Sequence, residues 1–463
     1  MKHSKFAFTL IAAITLSACS NMSSDGSLQK VQLNFQQYQE ITKQFQINEQ
    51  WWKGYQDAEL NRLVEMALAN NIDLAKSAIA MNKALYNANL VGADLVPSFS
   101  GSGTTTVSKG VGSPEKNTVS TSSSTVNHQL GFNLSYTLDL WRRLADTASA
   151  AEWEYKATQE DLQAAKLSLI NAVVSSYYNL SYYQDAIKMA EENVKSYEQI
   201  TRILTNKLNV GSIDQLSVAQ AQQATLAARN TLISLRSAQK TAEQTLRNLL
   251  NVKPNEALTV RYPNLLSVKL QGIDLNVPVS VIANRPDINA SLNRLQSAFK
   301  SLTATEKSWF PTITLGGSLT STVAKADNLG NNQVLGGSIG FNLPFLDWYR
   351  VKNNIKLSEE SYNLAKLNYE QTLTSALNEI DTYYYAYQQS KAGFDNLQKK
   401  YDYDKRISGY YKNRYDQGVS ELREWLSALN TERSSALSLL ENKYNIIKTE
   451  NAVYQAMAGK YTK

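Results

Sequence analysis

The sequence has one cysteine, Cys19, and two histidines, His3 and His128. A lone thiol cannot close an intramolecular disulfide, so burial or assembly must hold the fold. It also excludes a Cys/His zinc site, and six methionines with two histidines form no metal-binding tract. No G-x-x-x-x-G-K-[ST] loop occurs, which removes a P-loop nucleotide site. Paired carboxylates such as Glu191-Glu192 and Glu359-Glu360 lie in helical stretches and read as solvated faces. No enzyme, cofactor or metal is therefore expected. The net charge of +6 is small and unclustered, so nucleic acid has no electrostatic foothold.

Long hydrophobic runs are also missing. None after residue 18 reaches the length of a transmembrane helix, and the mean hydropathy is −0.37. Any membrane crossing must then use β-strands, whose backbone groups pair with neighbours instead of with water. Proline is confined to the stretch from Pro97 to Pro344, with none between Pro114 and Pro254. Residues 139–210 contain neither proline nor glycine, the two residues that break helix interiors. A helix over that stretch would run about 100 Å at ~1.5 Å per residue.

The apolar spacing agrees with long helices. Leu162, Leu169, Ser176, Tyr183, Ala190 and Tyr197 recur every seven residues, interleaved with Lys166, Val173, Leu180, Ile187 and Val194. A second stripe runs through Ala228, Leu232, Leu235, Gln239, Ala242, Leu246 and Leu249. These spacings are those of coiled-coil packing, and the small and polar seam positions favour several close antiparallel helices. Between the helical blocks, residues 98–107, 128–138, 312–323 and 334–343 alternate polar with apolar. Each is about the length of a tilted transmembrane strand. Their loops, 108–127 and 324–333, are rich in Gly, Ser, Thr and Asn.

The chain repeats itself. Asn71-Ile72-Asp73-Leu74 aligns with Arg285-Pro286-Asp287-Ile288, and Gly131-Phe132-Asn133-Leu134 recurs as Gly340-Phe341-Asn342-Leu343. Trp141 matches Trp348, Tyr177-Tyr178 matches Tyr384-Tyr385, and Gly211 matches Gly418, each 207 residues on. The expected organisation has a signal peptide over 1–18 and an extended segment over 19–50. A first repeat follows over 51–251, with a β-hairpin at 98–138, a long helix at 139–208 and a helix at 212–251. After a connector at 252–277, a second repeat covers 278–463, with a hairpin at 312–343 and helices at 346–416 and 421–458.

The amino terminus has Lys2 and Lys5 ahead of a short apolar stretch, then Leu16-Ser17-Ala18-Cys19. This resembles the lipobox of bacterial lipoproteins, which implies acyl chains on Cys19, enough for stable anchoring. Ser20, with no Asp behind the cysteine, resembles the pattern sorted to the outer membrane.

Four strands cannot close a barrel, and open edges cannot exist in lipid, so the strands must be shared among subunits. Three copies give twelve strands, within the even-numbered range of such barrels. Here the sequence resembles the TolC-like outer-membrane efflux channels, in their lipoprotein branch. The resemblance rests on Trp51-Trp52 with Asp57 and Leu60, Ala67-Leu68 with Asn70 to Leu74, Arg285-Pro286-Asp287-Ile288, Phe310-Pro311, and the turns Val210-Gly211 and Gly418-Val419. It implies a mainly α fold with a transmembrane β-barrel: a homotrimer with twelve strands, continued by a long α-helical barrel. It implies that the turns at Gly211 and Gly418 are periplasmic tips where a periplasmic adaptor (membrane fusion) protein docks. That adaptor would join the channel to an inner-membrane transporter of RND type. The implied periplasmic gate comprises Glu424, Ser427, Tyr415 and Ser217, with serine replacing the family's second gate acid at 427 and Tyr415's acidic partner at 217. A Tyr415–Ser217 tie would then be a neutral hydrogen bond. Trp141, Trp309, Phe310, Trp348 and Tyr349 lie at strand–helix junctions, suited either to a membrane interface or to packing between the two barrels. The alternatives are the same fold serving type I protein secretion, or a periplasmic scaffold without a channel.

Overall fold

The computed structural model describes residues 46–109, 124–273 and 279–462, so Cys19 and the signal peptide lie outside the described residues. In chain order the elements are β1 (Gln46–Asn48), α1 (Ala58–Asn70), α2 (Ile72–Gly92), β2 (Ser98–Ser108), β3 (Thr125–Leu138), α3 (Arg143–Asn209) and α4 (Gln215–Leu250). There follow α5 (Pro286–Glu306), β4 (Thr312–Val323), β5 (Gln333–Asn342), α6 (Trp348–Asp416), α7 (Leu422–Ala456) and β6 (Lys460–Thr462). Helix, two strands, long helix and helix thus occur twice in the same order. No helix among the described residues is long and apolar enough to cross a membrane.

The two long helices have 67 and 69 residues, each close to 100 Å at ~1.5 Å per residue. Helix α3 starts at Arg143 instead of residue 139: Arg142 is its N-cap, in the left-handed region at φ +59°, and the first turn is held from upstream by Asp139. Its carboxylate accepts the backbone N–H groups of Leu144 (3.0 Å) and Ala145 (2.8 Å). The predicted seam is inward: Leu162, Leu169, Ser176, Ala190 and Tyr197 are buried, with Val173 and Leu180 between them.

The strands form one antiparallel sheet in the order β2-β3-β4-β5. Cross-strand register places Phe99, Leu134, Phe132, Leu319, Leu315, Ile339 and Phe341 on one face. The other face carries Ser100, Ser102, Asn133, Thr137, Thr314, Ser318 and Ser338. No Asp, Glu, Lys or Arg occurs in the four strands. One face is oily and the other is polar but uncharged.

Midway along the helices a core gathers Trp51, Leu60, Leu63, Val173, Tyr177, Leu246, Leu265 and Ile447. It is stitched by buried polar groups. The Trp51 indole donates to Asn451 (3.0 Å), Asn451 donates to the Tyr55 hydroxyl (2.8 Å), and Tyr55 donates to Glu450 (2.6 Å). The Gly272 N–H donates to the other Glu450 oxygen at 2.7 Å. Burial pushes the Glu450 carboxyl up, against the hydrogen bonds from Tyr55 and Gly272. Pairing of β1 with β6 ties residues 46–48 to residues 460–462 at the same level.

Three of the residues that carry the family resemblance are structural. Asp57 caps α1 through Glu59 and Leu60 and accepts the Tyr177 hydroxyl at 2.8 Å. Asn71 caps α2 through Leu74 and donates to the Leu249 carbonyl. Arg285 is buried and pairs with Asp287 (2.7 Å) and Glu379 (2.8 Å), while donating to the Ala456 carbonyl. They cap helices and pin the mid-length core.

Candidate functional site

Helix neighbours run chiefly α2-α3-α5-α6 near the sheet and α4-α3-α7-α6 toward the far ends. The lateral edges of the chain are therefore α2 and α4 on one side and α6 on the other, as β2 and β5 are the edges of the sheet. These edges carry exposed apolar side chains at helical-seam spacing: Ile72, Ile79 and Tyr86 on α2, Leu226 and Ile233 on α4. On α6 they are Leu357 and Leu364, then Tyr403 and Tyr410. Phe99 on β2 and Leu335 on β5 are 80% and 82% exposed, on strands with one unpaired side. Seven-residue apolar stripes facing water are seams without a partner.

The tips are two copies of one turn. Gly211 has φ +75° and Gly418 φ +74°, left-handed values that favour glycine. At the first tip the Gly211 N–H donates to the Leu208 carbonyl (2.8 Å) and the Ser212 N–H to the Lys207 carbonyl (2.9 Å). At the second, the Gly418 N–H donates to the Tyr415 carbonyl (2.9 Å) and the Val419 N–H to the Arg414 carbonyl (3.0 Å). This paired bonding is the Schellman motif, and it satisfies carbonyls that the helix ends leave orphaned. Lys207 and Arg414 hold equivalent places in the two turns, as do Leu208 and Tyr415.

Glu424 and Ser427 share the exposed side of α7. They line a groove of about 410 Å³ together with Asp404, Ile407, Tyr411 and Thr431. The Ser420 hydroxyl donates to Glu424 at 2.5 Å, and Arg423 stands 4.0 Å from Glu421. Lys400 and Ser435 bind Asp404. Burial pushes the Asp404 carboxyl up, but these two hydrogen bonds outweigh it and hold it below its ordinary value.

The structure does not bring Tyr415 and Ser217 together. Ser217 donates both its backbone N–H (3.0 Å) and its hydroxyl (2.8 Å) to Asp214, the N-cap of α4. Those bonds hold the Asp214 carboxyl low. Tyr415 instead stacks on Trp425, with ring centroids 5.4 Å apart and planes at 26°. Lys207 Nζ lies 5.4 Å from the Tyr415 ring centroid. Burial, then the Asp416 charge, raises the Tyr415 phenol. Neither Lys207 nor Trp425 was singled out from sequence. No sequence pattern marks either of them; Lys207 is equivalent to Arg414 one repeat later.

The junction aromatics divide into two kinds. Trp141 stacks on Phe310 at 4.8 Å and donates its indole N–H to the Pro311 carbonyl at 2.9 Å, so this pair packs the two halves together. Trp309 is half-buried beside it. Trp348 and Tyr349, edge to face at 6.0 Å, are 57% and 69% exposed on the edge helix. Among the described residues no group of three or more His, Cys, Asp or Glu side chains is placed to hold a metal ion.

Comparison with known proteins places this geometry. The family model described as "Outer membrane efflux protein" matches residues 63–252 and 277–459. Toxin and drug export protein A of Aggregatibacter actinomycetemcomitans is 54% identical over 459 residues, covering 99% of this chain and 98% of that protein. Cation efflux system protein CusC of Escherichia coli O6:H1 is 26% identical over 419 residues, covering 89% of this chain and 88% of its own length. Among solved structures, the Campylobacter jejuni CmeC outer membrane channel superposes with a TM-score of 0.79 at 26% identity, over 89% of this chain and 88% of that one.

Proposed function

The chain belongs to the outer membrane efflux protein family, and on that premise we propose that three copies form one passive exit duct. It is an outer-membrane efflux channel with the fold of its solved relatives. The observation that carries the trimer is the unpaired sides of β2 and β5, continuous with the unpartnered apolar stripes of α2, α4 and α6. In lipid an open strand edge leaves backbone groups unsatisfied, each at a cost of several kcal/mol. Twelve strands from three chains remove every edge, with the oily face toward lipid and the hydroxyl-rich face toward the lumen.

In this reading the Gly211 and Gly418 tips reach into the periplasm and receive an adaptor protein, which couples the duct to an inner-membrane transporter of RND type. The channel supplies no energy and no catalysis. Glu424 and Ser427 face the narrow periplasmic entrance, where three carboxylates round one axis repel each other and attract cations. Trp348 and Tyr349 sit at the membrane boundary, and acyl chains on Cys19 anchor the amino terminus. A second reading, protein secretion through the same duct, is the alternative; the 54%-identical relative is named for export of toxin as well as drug.

Deleting the gene is expected to raise intracellular accumulation of a fluorescent efflux substrate severalfold, and a plasmid copy should reverse it. Unchanged accumulation together with loss of a secreted protein would favour the second reading instead. In the complemented cells, radioactive palmitate should label the wild-type chain and not Cys19→Ser; label on the variant would place the acyl chains elsewhere.

A further inference from the structure

The tip holds a contact that the expected Tyr415–Ser217 tie does not account for. Two helical hairpins meet there, α3–α4 turning at Gly211 and α6–α7 turning at Gly418. Beneath the turns one apolar cluster joins them, with Leu204 and Val218 from the first hairpin and Leu422 and Leu426 from the second. Tyr415 and Trp425 pack on that cluster. Their rings stack, and the cation of Lys207, from the other hairpin, lies over Tyr415 at 5.4 Å. On the far side Lys412 Nζ lies 5.8 Å from the Trp425 ring centroid. A cation over an aromatic face is attracted by the ring quadrupole, and the attraction needs the ring but not the phenol hydroxyl.

We propose that Lys207 over Tyr415, whose ring is seated by Trp425 of its own hairpin, forms a cation–aromatic latch that clasps the two hairpins of each protomer and limits how far the periplasmic entrance opens. The proposal rests on reading the tips as the gate. Both ends of the latch are placed by the glycine turns. The Lys207 carbonyl accepts the Ser212 N–H and the Tyr415 carbonyl accepts the Gly418 N–H, which fixes where each side chain leaves its helix. Ser217 is not among its contacts: its hydroxyl donates to Asp214. Lys207 is exposed, so the link is weak enough for a docking partner to break it.

The test is conductance of the full-length trimer in planar bilayers with potassium chloride, each variant first verified as a trimer by light scattering. Lys207→Met is expected to raise time-averaged conductance roughly two- to fivefold at exposed cation–π strength, and Trp425→Leu, which unseats the Tyr415 ring, should shift it in the same direction. Lys207→Arg keeps the cation and Tyr415→Phe keeps the ring, so both should conduct like wild type, whereas Tyr415→Leu should not. If Tyr415→Phe opened the channel as widely as Tyr415→Leu, the hydroxyl would be the tie and the latch would be overturned. Wild-type conductance in Lys207→Met would overturn it too. Glu424→Gln separates the latch from the gate reading. Altered cation block in Glu424→Gln with silent latch variants removes the latch alone, and unchanged block with silent latch variants removes the gate reading with it.

Discussion

Gly418→Val is expected to drop cells to the drug sensitivity of the deletion strain while leaving the protein trimeric in the outer membrane. A Cβ on Gly418 would meet nothing within 4 Å, so the effect is not a clash. It comes from the backbone. At φ +74° an L-residue costs about 1–2 kcal/mol, and a β-branched one more, because Cβ crowds the following carbonyl. Valine therefore pulls the turn out of the left-handed region and breaks the bonds to the Tyr415 and Arg414 carbonyls. In the proposed trimer the tip then loses, three times over, the shape on which the proposed docking rests. Gly418→Asn is the matched control: asparagine tolerates this conformation and should retain most of the resistance. Equal resistance in Gly418→Val and wild type would place the docking surface elsewhere.

Phe132→Arg is expected to prevent stable insertion, and its neighbour Asn133→Arg is not. Phe132 lies mid-strand in β3 on the oily face, opposite Gly101 and Leu319. An arginine facing lipid near the bilayer midplane costs about 2–4 kcal/mol per copy, and three copies share one barrel. Asn133, one residue on, points to the polar face beside Ser100 and Ser318. There the guanidinium stays in water, and the change should appear as a shift of ion selectivity toward anions. Outer-membrane fractionation checks the first and reversal potential in a salt gradient the second. Matching losses of both variants from the outer membrane would contradict the assignment of faces.

Much of the fold was legible because its signals are periodic. The proline-free and glycine-free stretch over 139–210 and the seven-residue stripe of Leu162 to Tyr197 specify α3 without reference to any partner. Strict alternation along Phe132, Leu134, Tyr136 and Leu138 likewise specifies β3. The positive φ at Gly211 and Gly418 followed from glycine's place in a turn between long helices. The site was less legible, since contacts between distant segments leave little local trace. The expected Tyr415–Ser217 contact is not formed within the chain: Asp214, three residues upstream, is a natural N-cap that takes the Ser217 N–H and hydroxyl, while Tyr415 stacks on Trp425. The Lys207–Tyr415 contact joins helices some 200 residues apart in sequence. Nothing in the local sequence of either helix marks it. The network of Trp51, Tyr55, Glu450 and Asn451 joins the two ends of the chain and had no sequence signal beyond the paired tryptophans.

The shared barrel is the central claim, and the mass of the purified mature protein in detergent tests it most directly. Four strands with two open edges and seven-residue apolar stripes on both flanks have no stable solitary form in lipid. Light scattering corrected for bound detergent should give three times the subunit mass, independent of protein concentration over the working range. A monodisperse monomer that kept its β-structure in circular dichroism would contradict the account, because β2 and β5 would then be stable with their edges unpaired.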